Sequence, residues 1–278
     1  MHDCGMSRYL IAAFAALFAV PLHAEDLEVR GDRLFLSVEV HGEPVQALVD
    51  SGAEVTIFDT STARHLRLGK GAAVEARGTG ASTTRAELVN NISVTALGRD
   101  LLISTAAIMD LSDVGARLLN APLPMILGRE LFDANRVLVD IEGRRIEWLD
   151  DVAVPEGIML DLTAAHGIET IKVGFGAAGE QAADFDLGNG SDLLISSTLA
   201  SQLALTPVGT EEGGGIGGAV SRPVVYVPEL TIAGKTFRNV RAQVSADARV
   251  HANVGVSLLR EFIIVTDFPK RRVWLQPR

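Results

Sequence analysis

Residues 45–53 read Val45-Gln46-Ala47-Leu48-Val49-Asp50-Ser51-Gly52-Ala53, an apolar run that ends in an acidic turn. A related pattern occurs later in the chain, where the run 182–185 leads into Asp186-Leu187-Gly188-Asn189. A glycine two positions after the acid allows a tight turn and lets an opposing backbone approach closely. The two stretches therefore predict two similar strand–turn units, each of which presents one carboxylate.

The two turns belong to an internal repeat that covers most of the chain. The repeated segments keep the same order, and the spacing between partners drifts slowly from 137 to 126 positions. The partners are Asp50 with Asp186, Gly78-Thr79-Gly80 with Gly215-Ile216-Gly217, Leu127-Gly128 with Val254-Gly255, and Trp148-Leu149 with Trp274-Leu275. Because chance rarely produces a collinear series, the pattern indicates a duplicated unit.

The repeat predicts two lobes and an all-β fold. We expect an N-terminal lobe over residues 25–149 and a C-terminal lobe over residues 157–278, joined by the acidic, proline-containing linker 150–156. Short apolar runs separated by turn residues dominate both halves, which is typical of strands. Helical periodicity is scarce, and short helices are predicted only at residues 61–68, 128–132 and 197–205.

Residues 1–24 have the features of a secretory signal peptide. Arg8 precedes an uncharged apolar stretch, and Leu22-His23-Ala24 ends in a small residue that suits cleavage before Glu25. The stretch is shorter than the ~20 apolar residues of a membrane-spanning helix, so retention as an anchor is the less favoured alternative. We expect a periplasmic or secreted protein with no stable membrane span after signal removal.

Composition and charge exclude several classes of function. The formal net charge of -10, without a basic cluster, argues against nucleic-acid binding. Cys4 is the only cysteine and lies in the predicted signal segment, which excludes disulfides and a cysteine nucleophile from the mature chain. The mature histidines belong to no serine-hydrolase motif, and no ligand spacing for a metal occurs. Neither a cofactor nor a metal is expected.

The repeated residues resemble the pepsin-like and retropepsin-like aspartic proteases, whose lobes each combine an Asp-Thr/Ser-Gly turn with a later apolar-apolar-Gly segment. The first lobe matches with Asp50-Ser51-Gly52 and Met125-Ile126-Leu127-Gly128, and the second with Asp186, Gly188 and Val254-Gly255. The resemblance covers nearly all of the mature chain and suggests a bacterial member with two fused lobes. It implies two pseudo-symmetric six-stranded barrels that face a central cleft.

The resemblance also implies an activity and its residues. Asp50 and Asp186 would be catalytic, and Ser51, Gly52, Leu187 and Gly188 would support their turns. Two carboxyl groups about 3 Å apart share one proton, so one of them can deprotonate water while the other polarises the substrate carbonyl. The predicted function is that of a monomeric aspartic endopeptidase acting on an extended polypeptide.

Gly78-Thr79-Gly80 resembles the flap of the pepsin-like members, and Gly215-Ile216-Gly217 is its counterpart in the second lobe. Such a hairpin tip folds over bound peptide, and its free edge can hydrogen-bond an extended backbone. Arg77 occupies the position where pepsin-like flaps carry tyrosine. Substrate contacts at the first flap are therefore expected to differ from those in pepsin-like enzymes.

Leu187 departs from the family pattern, which has a hydroxyl residue at this position. The hydroxyl ties the two turns together, and its loss removes a buried hydrogen bond worth about 0.5 to 1.5 kcal/mol. This departure motivates an alternative function, a catalytically impaired module that binds peptides or a partner protein. A structural envelope protein without affinity for peptides is a third possibility.

Overall fold

The computed structural model describes residues 25–150, 152 and 154–278. The predicted signal peptide, residues 1–24, lies outside the described residues. In the part of the chain that the structure describes, short strands dominate and the helices are few and short. No helix among these residues is both long and apolar enough to span a membrane.

The first half contains eleven of the described strands and three helices. The strands are β1 Glu25–Asp26, β2 Glu28–Arg30, β3 Arg33–Val40, β4 Glu43–Val49, β5 Ile57–Asp59, β6 Ala72–Arg77, β7 Thr83–Ala96, β8 Arg99–Met109, β9 Met125–Leu127, β10 Val137–Asp140 and β11 Arg145–Trp148. The helices are α1 Thr60–His65, α2 Ser112–Leu119 and α3 Glu130–Ala134.

The described second half has the same order of strands and helices, except that none of its described residues form a helix corresponding to α2. The strands are β12 Ile158–Asp161, β13 Thr163–Ala165, β14 Ile168–Gly174, β15 Glu180–Phe185, β16 Leu193–Ser196, β17 Gly209–Gly213, β18 Val220–Ile232, β19 Lys235–Ser245, β20 Ala252–Val254, β21 Phe262–Asp267 and β22 Arg272–Pro277. The helices are α4 Ser197–Gln202 and α5 Val256–Leu259, and a short 3-10 turn spans Gly176–Ala178.

Each half forms an eight-stranded sheet of the same topology. The strand order is β2-β3-β4-β9-β5-β8-β7-β6 in the first half and β13-β14-β15-β20-β16-β19-β18-β17 in the second. Additional pairings of β3 with β7 and of β14 with β18 bend each sheet back on itself. The prediction of an all-β fold with two lobes is confirmed. Each sheet has eight strands instead of the six expected, and it includes both strands of the hairpin that carries the predicted flap.

A third sheet joins the two halves. Its order is β1-β11-β10-β21-β22-β12, so strands from both halves of the chain lie side by side. The junction is the antiparallel pairing of β10 with β21, in which Val137 lies opposite Thr266. Beside it, Arg136 and Asp267 form a buried ion pair at 2.9 Å. The shared sheet therefore fixes how the two lobes face each other.

The local sequence explains why each acidic turn begins at a central strand. From Leu36 to the end of β3 and in the first part of β4, buried apolar side chains alternate with exposed ones, as expected for a sheet with one buried face. The last three residues of β4 are all buried, because this end of the strand pairs in parallel with β9. The end of β15 pairs with β20 in the same way. Both turns therefore leave from strands that are hydrogen-bonded inside the sheet.

The predicted short helices occur with shifted bounds, and two helices were missed. Helices α1, α3 and α4 overlap the three predicted segments. Helix α1 begins after Asp59, whose side chain accepts a hydrogen bond from the Ser61 backbone, and stops before Arg67, whose φ is 55°. The missed helices are α2, which contains Gly115 in its interior, a residue of low helix propensity, and α5, which has only four residues.

Candidate active site

The first acidic turn is held by the strand that runs beside it. The Asp50 backbone N–H donates to the carbonyl of Leu127 at 3.0 Å, which continues the pairing of β4 with β9. The backbone N–H of Gly52 donates to Asp50 Oδ1 at 2.8 Å. The turn thus closes on its own carboxylate, and the carboxylate is held at a fixed place at the end of the strand.

The second turn has the same construction. The Asp186 backbone N–H donates to the carbonyl of Val254 at 3.3 Å. Asp186 Oδ1 accepts from the backbone N–H groups of Gly188 at 2.9 Å and of Asn189 at 3.1 Å. The predicted turn residues of both halves therefore hold their carboxylates through backbone hydrogen bonds.

The two carboxyl groups meet between the lobes. They share a side-chain hydrogen bond, and each lies over the glycine of the opposite turn. A Cβ atom on Gly52 would lie 2.9 Å from Asp186 Cγ, and one on Gly188 would overlap the Asp50 carboxylate. Only glycine fits at either position, so the glycines serve the close approach of the two acids as well as the tight turns.

Burial and mutual repulsion make the pair share a proton. Burial, followed by the negative charge of Asp186, raises the pKa of Asp50 to about 8. Backbone hydrogen bonds from Gly52 and Ala53 act in the opposite direction but are outweighed. Asp50 is therefore protonated at neutral pH, beside an acid with which it shares that proton. This is the arrangement in which one carboxyl group can act as a base and the other as an acid.

One hydroxyl ties the two turns together underneath the carboxylates. Ser51 Oγ donates to the carbonyl of Phe185 and accepts from the backbone N–H of Leu187, both at 2.9 Å. Leu187 itself is fully buried and offers no hydroxyl for a reciprocal tie. The departure noted in the sequence therefore leaves one cross-lobe connection of this kind where the family pattern has two.

A half-buried carboxylate supports the first turn from behind. The Thr56 backbone N–H donates to Glu130 Oε1 and its hydroxyl to Glu130 Oε2, both at 2.9 Å. The backbone N–H of Gly128 donates to the same hydroxyl at 3.2 Å. Burial raises the pKa of Glu130, while the bonds from Thr56 lower it. This link between β9, α3 and the loop after Asp50 was not predicted from the sequence.

A chain of asparagine side chains supports the second turn. Asn253 Nδ2 donates to Asp186 Oδ2 at 2.7 Å, and Asn189 Nδ2 donates to Asn253 Oδ1 at 2.6 Å. Asn189 Oδ1 in turn accepts from the backbone N–H of Ser191 at 2.9 Å. The corresponding residue of the first lobe is the apolar Ile126. The sequence signal for this difference is the polar residue directly before Val254-Gly255, and it was missed.

A third carboxyl group, Asp184, lies behind Asp186. Burial, followed by the negative charge of Asp186, raises the pKa of Asp184 to about 7. Its Oδ1 atom lies 3.3 Å from Nε2 of His166, and both atoms are buried without a hydrogen-bond partner. Arg249 and Asn253 lower the pKa of Asp184 but do not cancel the effect of burial. From the sequence, residues 182–185 were predicted only as the strand before the turn, and this carboxyl group was not predicted as part of the site.

The two predicted flaps touch each other across the lobes. Gly80 N–H donates to the carbonyl of Ile216 at 2.9 Å, and Gly215 N–H donates to Thr79 Oγ1 at 2.8 Å. A Cβ atom on Gly78 would lie 2.7 Å from the Ile216 carbonyl oxygen. Glycine is therefore required for close contact between the loops. The structure brings the residues of both predicted flaps together, and their role in substrate binding stays a prediction.

Arginine side chains hold each flap from the opposite lobe. Arg117, in α2 of the first lobe, donates to the carbonyls of Gly214 at 2.6 Å and Gly215 at 2.9 Å. Arg222, in β18 of the second lobe, donates to the carbonyl of Thr79 at 2.7 Å. A cavity of about 270 Å³ lies beside this contact. Neither arginine stands out in the sequence, because their partners are about 100 or more positions away.

Arg33 places a positive charge near the carboxyl pair. It is the first residue of β3, and its guanidinium lies against Gly190, where a Cβ atom would be 2.8 Å from Nη1. Burial lowers the pKa of Arg33, whereas the negative charges of Asp186 and Asp50 raise it. Among the described residues, its guanidinium donates one hydrogen bond, to the carbonyl of Gly31 at 2.9 Å. Its remaining donors are available to a ligand.

Part of the first lobe matches a protein-family model. Residues 36–131 match the family model described as Aspartyl protease. This match supports an aspartyl protease family. The matched segment runs from β3 to α3 and contains Asp50, the first flap and Gly128, whereas Asp186 lies outside it. A comparison with curated proteins gives no match. Among the described residues, no group of three or more His, Cys, Asp or Glu side chains could hold a metal ion.

Proposed function

We propose that the protein is an aspartic endopeptidase that hydrolyses peptide bonds with water activated between Asp50 and Asp186. The observation that carries the proposal is the shared hydrogen bond between two carboxyl groups from two lobes. The aspartyl protease match over the first lobe supports the same class of function. The predicted signal segment leads us to place the mature enzyme in the periplasm or outside the cell.

The proposed reaction uses the pair as an acid and a base. Asp186 accepts a proton from water as the water oxygen attacks the carbonyl carbon, and protonated Asp50 gives its proton to the carbonyl oxygen. The resulting diol then collapses. The proton on Asp186 passes to the amide nitrogen, the C–N bond breaks, and a diol hydroxyl returns a proton to Asp50. One water is consumed, and one acid and one amine leave.

The flaps favour a retropepsin-like arrangement over a pepsin-like one. Both lobes carry a hairpin whose tip reaches the centre, and the tips bond to each other. A peptide can enter only after these hydrogen bonds open. Once inside, an extended peptide can hydrogen-bond the flap edges as an added strand. An extended polypeptide is therefore the proposed substrate.

Incubation with a peptide library across pH tests the proposal directly. The wild-type protein should cleave peptides, and Asp50→Asn and Asp186→Asn should each lose hydrolysis. Asp161→Asn, an exposed aspartate far from the pair in sequence, is the matched control and should retain it. Cleavage that persists in either pair variant would overturn the mechanism.

A peptide-binding module without turnover is the second candidate. Buried Leu187, which leaves a single hydroxyl tie between the turns, is the observation that favours it. In that case the wild-type protein binds peptides without cleaving them, and Asp50→Asn retains the affinity. Fluorescence anisotropy with labelled peptides, run beside the cleavage assay, separates the two candidates.

A further inference from the structure

The two carboxyl groups of the pair are not hydrogen-bonded alike. Asp186 accepts two backbone N–H groups on Oδ1 and a side-chain amide on Oδ2. Asp50 accepts its turn hydrogen bonds from the backbone N–H groups of Gly52 and Ala53. Both oxygens of Asp186 thus face donors that do not come from the other member of the pair. This asymmetry comes from Asn253, since the first lobe has Ile126 at that position.

The orientation of the two asparagine amides is fixed by Ser191, at the end of the hydrogen-bonded chain away from Asp186. The Ser191 backbone N–H can only donate, so the oxygen of the Asn189 amide must face it. The Asn189 amide nitrogen then faces Asn253, which must present its own oxygen in return. The Asn253 nitrogen is left to face Asp186 Oδ2 at 2.7 Å. If Asp186 Oδ2 carried a proton, its O–H and the Asn253 N–H would be two donors facing each other.

We infer that Asn253 is a positioning residue that holds Asp186 as the ionised member of the pair and so places the shared proton on Asp50. The inference rests on the proposed function for its catalytic meaning, because it assigns the base to Asp186 and the acid to Asp50. The pairing of β15 with β20 supplies the geometry, since Asp184 and Asn253 lie opposite each other one residue before Phe185 and Val254. The high pKa of Asp50, about 8, agrees with this placement of the proton.

The effects of other charged groups near Asp186 must be distinguished from the effect of Asn253. Asp50, Asp184 and Arg33 all act on Asp186, and His166 and Arg249 act on Asp184. Asn253 also hydrogen-bonds Asp184. A change at Asn253 is therefore measured in the wild-type background and again in Asp184→Asn.

The test follows the carboxyl groups themselves by carbon-13 NMR of protein labelled at aspartate, with signals assigned from Asp50→Asn and Asp186→Asn. In Asn253→Leu, which keeps the volume and loses the donor, the lower of the two titration midpoints of the carboxyl pair should move about one unit to higher pH. The acidic limb of the pH–rate profile should move in the same direction. Both shifts should persist in the Asp184→Asn background.

Two further variants keep the inference testable if Asn253→Leu does not fold. Asn189→Ala removes the group that orients Asn253 and should move the lower midpoint of the pair in the same direction by a smaller amount. Ser191→Ala keeps the backbone N–H that directs the chain and loses only the hydroxyl that donates to Asn189 Oδ1 at 2.6 Å, so the midpoint should move less than in Asn189→Ala. A midpoint that does not move in Asn253→Leu and Asn189→Ala, or a proton found on Asp186 in the wild type, would overturn the inference. Because the titration needs no turnover, its result stands even if no peptide is cleaved and the proposed function fails.

Discussion

At the scale of single residues, Ser51 is the side chain on which the contact between the two turns depends. Replacing it by alanine leaves the buried N–H of Leu187 and the buried carbonyl of Phe185 without their partner. Such unpaired groups cost about 1 to 3 kcal/mol, and Leu187 has no hydroxyl that could take over. We expect Ser51→Ala to lower the free energy of unfolding by about 2 kcal/mol in urea titrations. Ser51→Thr, which keeps the hydroxyl, should lower the free energy of unfolding much less. Equal decreases in the two variants would contradict the assigned role of the hydroxyl.

The raised pKa of Asp50 has a consequence for stability. Between pH 4 and pH 8 the folded protein holds a proton on Asp50 that the unfolded chain releases, so wild-type stability falls as pH rises through this window. Asp50→Asn removes this dependence. The variant should therefore be more stable than the wild type at pH 7, on the order of 2 kcal/mol, and the difference should vanish near pH 4. Urea unfolding at several pH values measures it, and a difference that is constant with pH would refute the expectation.

The position of Arg33 predicts that the protein prefers substrates with acidic side chains. Its free donors lie close to the carboxyl pair, and a carboxylate is the planar anion that a guanidinium binds best. Peptides with glutamate should be cleaved about tenfold better than their glutamine isosteres, and Arg33→Gln should abolish the difference. Arg64→Gln, a change in an exposed arginine of α1, is the control for net charge. A glutamate preference that survives in Arg33→Gln would assign the selectivity to another group.

At the scale of elements, the sequence predicted what depends on neighbours along the chain. The turns at Asp50 and Asp186, the strands before them and the repeated glycine tips follow from local turn chemistry and a collinear repeat. Asn253 and Arg117 escaped prediction because their partners are 64 or more positions away and meet them only when the sheets close. Helix α2 escaped because it is short and contains Gly115, although Asn120 at its end, with φ 50°, is a typical helix stop.

The two flap hairpins should open independently of the lobes' cores. Arg117→Gln removes both hydrogen bonds to the second flap, and Arg222→Gln removes the bond to the first. Hydrogen bonds from charged groups contribute about 1.5 to 3 kcal/mol, so amide exchange should accelerate about tenfold or more in the flap that loses its arginine. Hydrogen exchange with mass spectrometry resolves the two flaps. Arg85→Gln, a change of an exposed residue in the first flap hairpin, should alter the exchange rate of neither flap. Faster exchange across the whole protein would indicate general destabilisation instead.

At the scale of the whole molecule, the proximity of Asp50 to Asp186 depends on a sheet that neither lobe builds alone. Strands β10 and β21 hydrogen-bond along their length, and the buried pair of Arg136 and Asp267 lies at this junction. The junction lies away from the acidic turns in the chain, yet it sets the distance between the lobes. Stability of the junction and catalytic geometry are therefore coupled in this architecture.

This coupling predicts a defect at a distance from the candidate active site. Asp267→Asn removes the negative charge that lies 2.9 Å from the buried Arg136 guanidinium, and breaking a buried ion pair on one side costs about 3 kcal/mol. Urea unfolding should show this loss, and peptide hydrolysis should fall in conditions where most molecules remain folded, since the turns no longer meet in register. Replacing both partners, with Arg136→Met and Asp267→Leu together, should recover most of the stability, because apolar residues of similar volume can replace a buried ion pair at little cost. If the double variant is as unstable as Asp267→Asn, packing of the junction and not the broken ion pair is the cause.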